Sequence, residues 1–154
     1  MPAVKNSVWL ISGCSTGFGR EIALAALEEG ALVAVTARNP ASVADICERF
    51  PEQAIALQLD VGSADDIAAC VDATLVRFGR IDALVNNAGY GYVAAIEEGE
   101  EDAVRALFDV NFFGALALTR AVLPVMRRQG SGHIINNSSQ AGIMANPGTG
   151  YYSA

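Results

Sequence analysis

Charge is scarce in this 154-residue chain, and positive charge most of all. Charged residues make up 18%, with ten Lys and Arg against seventeen Asp and Glu, for a formal net charge of −7. A nucleic-acid surface would need a basic stripe, so that class of partner is excluded. Cysteine is sparse as well: Cys14, Cys47 and Cys70 are odd in number and form no C-x-x-C pair. That usage suits reduced thiols in a cytoplasmic protein and gives no reason to expect a metal centre. Met1 to Asn6 contains no extended apolar region, so no signal peptide is expected. The longest apolar stretch, Val110 to Met126, is broken by Asn111, Gly114, Arg120 and Pro124. It is expected to be a buried helix at a subunit interface, with no membrane span.

What is present is a well-buried composition, 52% hydrophobic, in a length that suits one domain with a real core. Short apolar runs alternate with helix-length segments. Val8–Ser12, Leu32–Thr36, Ala54–Leu59, Ala83–Asn86 and His133–Asn137 read as strands, several of them apolar on both faces. Between them, Arg20–Glu29, Ala41–Arg49, Ala64–Phe78 and roughly Glu101–Arg128 read as helices. In the third helix Ser63 and Asp66 form a capping-box pattern, and Ile67, Val71, Leu75 and Phe78 make one apolar stripe. Repeated strand–helix–strand units predict an α/β, Rossmann-type doubly wound parallel sheet of five strands in the order 3-2-1-4-5. Residues 1–154 form a single domain in this reading.

The first strand runs into Ser12-Gly13-Cys14-Ser15-Thr16-Gly17-Phe18-Gly19 ahead of a helix. Glycines there let backbone approach a pyrophosphate, and the helix N-terminus offers free N–H groups. No Lys-Ser/Thr follows, which excludes a P-loop. Dinucleotide-binding sheets that hold NAD place an acid about 20 residues on, at the end of the second strand. Here Ala37 and Arg38 stand instead. A guanidinium pairs with a 2′-phosphate that a carboxylate would repel, so NADP is expected over NAD. The missing acid also argues against S-adenosylmethionine. Asp60 either accepts from the adenine amino group or caps a turn. Asn86-Asn87-Ala88-Gly89 ends the fourth strand, where a ligand of an open α/β sheet would pass.

Ser138-Ser139 ends the fifth strand, and Tyr152 follows Ser139 by thirteen residues. A phenol with a pKa near 10 is a poor acid–base group at neutral pH. A nearby ammonium and a positive nicotinamide ring would lower that value and let Tyr152 exchange the alcohol proton, with Ser139 on the substrate oxygen. His133 belongs to no catalytic pattern and is expected to be structural or solvent-facing. The acids Glu97, Glu98 and Glu100–Asp102 read as a solvated helix cap and not a metal site.

Taken in order, the glycine loop 12–19, Asp60, Asn86–Gly89, Asn111, Ser138-Ser139 and Tyr152-Ser153-Ala154 resemble the short-chain dehydrogenase/reductase family along essentially the whole chain. The resemblance implies a catalytic set of Asn111, Ser139 and Tyr152, completed by a lysine at position 156. It implies cofactor contacts from Gly13, Ser15, Thr16, Gly17, Phe18, Gly19, Arg38, Asp60, Val61, Asn87, Ala88 and Gly89. It also implies a small alcohol or carbonyl substrate and a homodimeric or homotetrameric parent. The chain would then be an incomplete piece of that parent, with the C-terminal strands and the lysine missing. Segments Gly89–Glu98 and His133–Ser139 look like members acting on lipophilic alcohols and ketones such as retinol and steroids. Asn137 departs from the pattern, standing where the family usually has an apolar strand residue.

Overall fold

The computed structural model describes residues 4–144 and 146–154. Met1 to Ala3, the start of the segment read above as lacking a signal peptide, and Ala145, in the loop before Tyr152, lie outside them. Five strands, β1 (Val8–Ile11), β2 (Leu32–Ala37), β3 (Ala54–Gln58), β4 (Ala83–Asn86) and β5 (His133–Asn136), form one sheet in the order β3-β2-β1-β4-β5. All four pairings are parallel, as short apolar strands joined by helices require. The strand order reverses between β1 and β4, which opens a crevice above their C-terminal ends.

Alternation along each strand divides the core between the two faces of the sheet. Leu10, Ala34 and Leu84 point to one face, packed with Leu118, Val122 and Ile67. Ile11, Val33, Val35 and Val85 point to the other, packed with Ala23, Leu27 and Ile46. Helices α1 (Gly17–Glu28) and α2 (Ala44–Arg49) cover the second face; α3 (Ala64–Phe78) and α5 (Ala115–Gln129) cover the first. Each face holds one buried thiol, Cys70 on the first and Cys14 on the second, and burial pushes both up to about 12.

Helix α3 keeps the predicted bounds because its ends are chemically marked. Ser63 Oγ accepts from the Asp66 N–H at 3.2 Å, and Gly79 closes the helix in the left-handed region at φ 78°. The capping box is only half made: Asp66 turns its carboxylate to the Asp60 N–H at 2.9 Å instead. The second predicted helix is split. Asn39 Oδ1 accepts from the Ala41 N–H and starts a 3₁₀ turn over Pro40–Val43, so α2 begins at Ala44. Helix α1 begins at Gly17, three residues before its predicted start.

The last long helix runs continuously from Glu101 to Gln129 as α4 (Glu101–Phe108), a π segment (Asp109–Gly114) and α5. By length and hydropathy it could cross a membrane, but Leu118 and Val122 are fully buried against the sheet. The expectation of a buried helix holds for one face only. Phe112 and Phe113 are 56% and 55% exposed on the other. Gly114 makes the close approach possible, since a Cβ there would come within 2.7 Å of Val61 Cγ2. The short helix α6 (Gly150–Ser153) carries Tyr152.

Candidate active site

The glycine loop is held from both sides. Cys14 N–H donates to Thr36 O of β2 at 2.7 Å, and Ser12 N–H donates to Val85 O of β4 at 3.0 Å. Ser12 Oγ accepts from the N–H groups of Asn87 and Ala88 at 2.9 and 3.0 Å. Asn87 Nδ2 donates to the carbonyls of Ser12 and Gly13, both at 3.0 Å. Gly13 sits at φ 75°, with Ala88 Cα 3.0 Å from where a Cβ would be. At Gly19 a Cβ would lie 2.3 Å from both Gly13 O and Asn87 Nδ2. The loop is thus packed on its inner side by backbone.

Its outer side is open. Ser15, Thr16, Gly17 and Phe18 are exposed. Thr16 makes no side-chain cap bond, and the first turn of α1 contains no acid. The leading N–H groups and the positive helix end therefore face solvent, an arrangement that fits a pyrophosphate. Arg38 follows β2, is exposed, and has no ion pair among the described residues. Arg20 differs: it pairs with Asp45, and the guanidinium's hydrogen bond holds that carboxyl below its ordinary value. Asp60 does cap a turn, Oδ1 accepting from the Gly62 N–H at 2.9 Å. Val61 buries its side chain against Gly114.

A cleft of about 800 Å³ lies beyond the ends of β4 and β5 and brings together Asn87, Ala88, Gly89, Asn111, Ser139 and Tyr152. Asn111 sits in the π segment, a local widening of the helix that recurs at functional sites. Its side chain grips the backbone of Tyr90, Oδ1 accepting from N–H at 3.0 Å and Nδ2 donating to O at 2.8 Å. Ser139 Oγ accepts from the Ala141 N–H at 3.2 Å, which leaves its own proton for another acceptor.

The two adjacent tyrosines are told apart by their surroundings. Tyr151 OH donates to Ile96 O at 2.5 Å, and its ring packs 6.1 Å from that of Tyr92. Gly99 leaves room for it, since a Cβ there would be 2.3 Å from Tyr151 Cε2. Tyr152 lines the cleft, and its hydroxyl has no hydrogen bond among the described residues. The chain's single lysine, Lys5, lies against Gly30 beyond the C-terminus of α1, at the opposite end of the sheet. His133 is exposed at the start of β5. Glu101 forms an exposed pair with Arg105 at 2.7 Å, consistent with a solvated cap.

Sequence reading missed Ser12 as the hub between loop and β4. The signal was there in a polar residue ending an otherwise apolar strand. Asn86 is a sheet contact, as the resemblance of Asn86–Gly89 to the family's sheet-stabilising motif implies, its Nδ2 donating to Thr119 Oγ1 at 2.9 Å and Asn136 Oδ1 at 2.8 Å.

A five-stranded parallel sheet, with an anion-ready helix end at its point of reversal and a serine and a tyrosine sharing the adjoining cleft, is a Rossmann-type arrangement. The short chain dehydrogenase family model matches residues 7–154, and the chain belongs to that family. It is 38% identical to Oxidoreductase BOA17 of Botryotinia fuckeliana, over 96% of this chain and 54% of that protein. It is 35% identical to 11-beta-hydroxysteroid dehydrogenase A of Sesamum indicum, over 98% and 44%. Among solved structures, a short-chain dehydrogenase from Streptomyces avermitilis superposes with a TM-score of 0.92 at 44% identity, over 97% of this chain and 55% of its own. A Burkholderia phymatum member in complex with NAD gives 0.93 at 28%, covering 99% and 56%. A gluconate 5-dehydrogenase from Burkholderia cenocepacia in complex with NADP and tartrate gives 0.90 at 32%, covering 97% and 60%. The chain thus spans about half the length of several relatives it matches.

Proposed function

We propose that this chain is the cofactor-binding and catalytic portion of an NADP(H)-dependent alcohol dehydrogenase or carbonyl reductase. The observation that carries the reading is the hydroxyl of Tyr152, unengaged among the described residues, in the same cleft as Ser139 and next to a tyrosine whose hydroxyl is already used. When bound, the nicotinamide dinucleotide supplies the hydride acceptor or donor. The N–H groups at the start of α1 hold its pyrophosphate, and Asn87 to Gly89 line its path. Arg38 pairs with the 2′-phosphate, which favours NADP over NAD. Ser139 donates to the substrate oxygen, and Tyr152 takes or gives the proton of that oxygen. Asn111 holds the Tyr90 backbone beside them.

The rim favours a lipophilic alcohol or ketone of the retinol or steroid kind. Ile143 and Met144 follow Gly142 of the cleft and are 89% and 53% exposed. Val93 and Ile96, 74% and 62% exposed, lie against Gly148 and Gly150, just before Tyr152. The open apolar face of the long helix supports association as a homodimer or homotetramer.

The test compares Y152F with Y151F in the protein that carries this chain. Y152F is expected to lower kcat by roughly 10²–10⁴-fold without changing NADPH affinity in calorimetry, while Y151F keeps kcat within about threefold. Full turnover by Y152F refutes the assignment. A second reading, a catalytically silent nucleotide-binding module, draws on the lining of the cleft, which holds no lysine among the described residues. NADPH binding with no oxidation across a panel of carbonyls would select it.

A further inference from the structure

Asn137, the departure noted in the sequence, makes two bonds that reach out of its own strand. Its N–H donates to Asn86 O at 2.9 Å, adding one rung beyond β5. Its Nδ2 donates to Asn87 Oδ1, also at 2.9 Å. Asn87 cannot turn its amide over to suit another partner. Its Nδ2 already serves the carbonyls of Ser12 and Gly13 at 3.0 Å, and a flipped amide would aim an oxygen at two other oxygens. Gly19 makes room for that nitrogen, since a Cβ there would lie 2.3 Å from it. An apolar residue at 137 would have no donor to give.

A continuous line of amide bonds therefore runs from the strand end two residues before Ser139, through the end of β4, into the glycine loop. We propose that Asn137 is a positioning residue that locks the end of β5 to the glycine loop, so that the loop's grip on a dinucleotide and the placement of Ser139 are set together. The lock is a property of this chain's own bonds. Its consequence for cofactor affinity rests on the oxidoreductase reading above.

The experiment uses N137D, which keeps the shape and replaces the donor with an acceptor facing Asn87 Oδ1, and N137L, which removes both. Hydrogen–deuterium exchange without nucleotide reads the hydrogen-bonded N–H groups of Cys14, Asn87 and Ala88, with helix α3 as internal reference. Both variants are expected to exchange about fivefold faster at those three amides, as loss of one net hydrogen bond implies, with α3 unchanged. NADPH affinity by calorimetry is expected to fall by a similar factor, with the thermal midpoint moved by no more than about 4 °C. Acceleration confined to residues 133–139 overturns the proposal. So does unchanged NADPH affinity in a variant whose loop exchanges faster. If N137D fails to fold, N137L decides alone. If the unmodified protein binds no NADPH, the cofactor reading fails, and the exchange result still decides whether the lock exists.

Discussion

Strands β2 and β5 flank the same crevice from opposite sides and are built on different principles. β2 lies between two neighbours, and five of its six residues, Val33 to Ala37, are buried. Among the described residues β5 pairs only with β4, and three of its four residues, His133, Ile135 and Asn136, are exposed. Packing holds β2 in place. The Ser139 side is held by discrete amide bonds, Asn86 to Asn136 and Asn137 to Asn87. Volume changes should therefore damage the first region and donor–acceptor changes the second.

The sharpest way to break that comparison is a pair of truncations. Leu10→Ala, at a fully buried position of β1, should cost about 2–5 kcal/mol in urea unfolding. Ile135→Ala, 42% exposed on β5, should cost under about 1 kcal/mol. Equal losses would mean that the outer strand is not held as described. Gly19→Ala comes next: a Cβ driven into Gly13 O should cost about 1–3 kcal/mol and abolish measurable NADPH binding. Intact binding in that variant would show that the loop can yield.

Arg38→Ala should weaken NADPH binding about 10–100-fold, the range for hydrogen bonds to a charged group, and leave NADH binding unchanged. Equal loss for both nucleotides would remove the 2′-phosphate assignment. The smallest effect is expected at Asp45→Asn. Arg20 lowers the Asp45 pKa from its ordinary 3.8, so the pair adds stability above that pH and loses it as the solution is acidified through the folded value. The variant and the parent should differ slightly in thermal midpoint at pH 7 and converge below pH 3.8. Both groups are at the surface, so added salt should shrink the difference.

Much of the architecture was legible because it is written in local chemistry. Ser63 and Gly79 mark the ends of α3, and the apolar runs locate the strands to within a residue at their ends. The family resemblance, made specific by their spacing, put Ser139 and Tyr152 in one site, and both line one cleft. The π segment was not legible, since nothing in Asp109–Gly114 distinguishes a widened turn from a regular one. Asp66 left the capping box because Asp60, at the start of the same loop, offers it an N–H. The division of Val110–Met126 into a buried and an open face likewise depends on which neighbours arrive. Tyr151 could not be told from Tyr152 by chemistry until Ile96 and Gly99 were seen around it.

The two deeply buried thiols carry a use beyond packing. Cys14 and Cys70 lie on opposite sides of one sheet, and burial keeps both protonated at any ordinary pH. Neither can be alkylated until its own layer parts from the strands, whereas Cys47 is only partly covered. Pulse labelling followed by peptide mass analysis would therefore time the loosening of each layer separately, turning native side chains into a pair of clocks without any inserted probe.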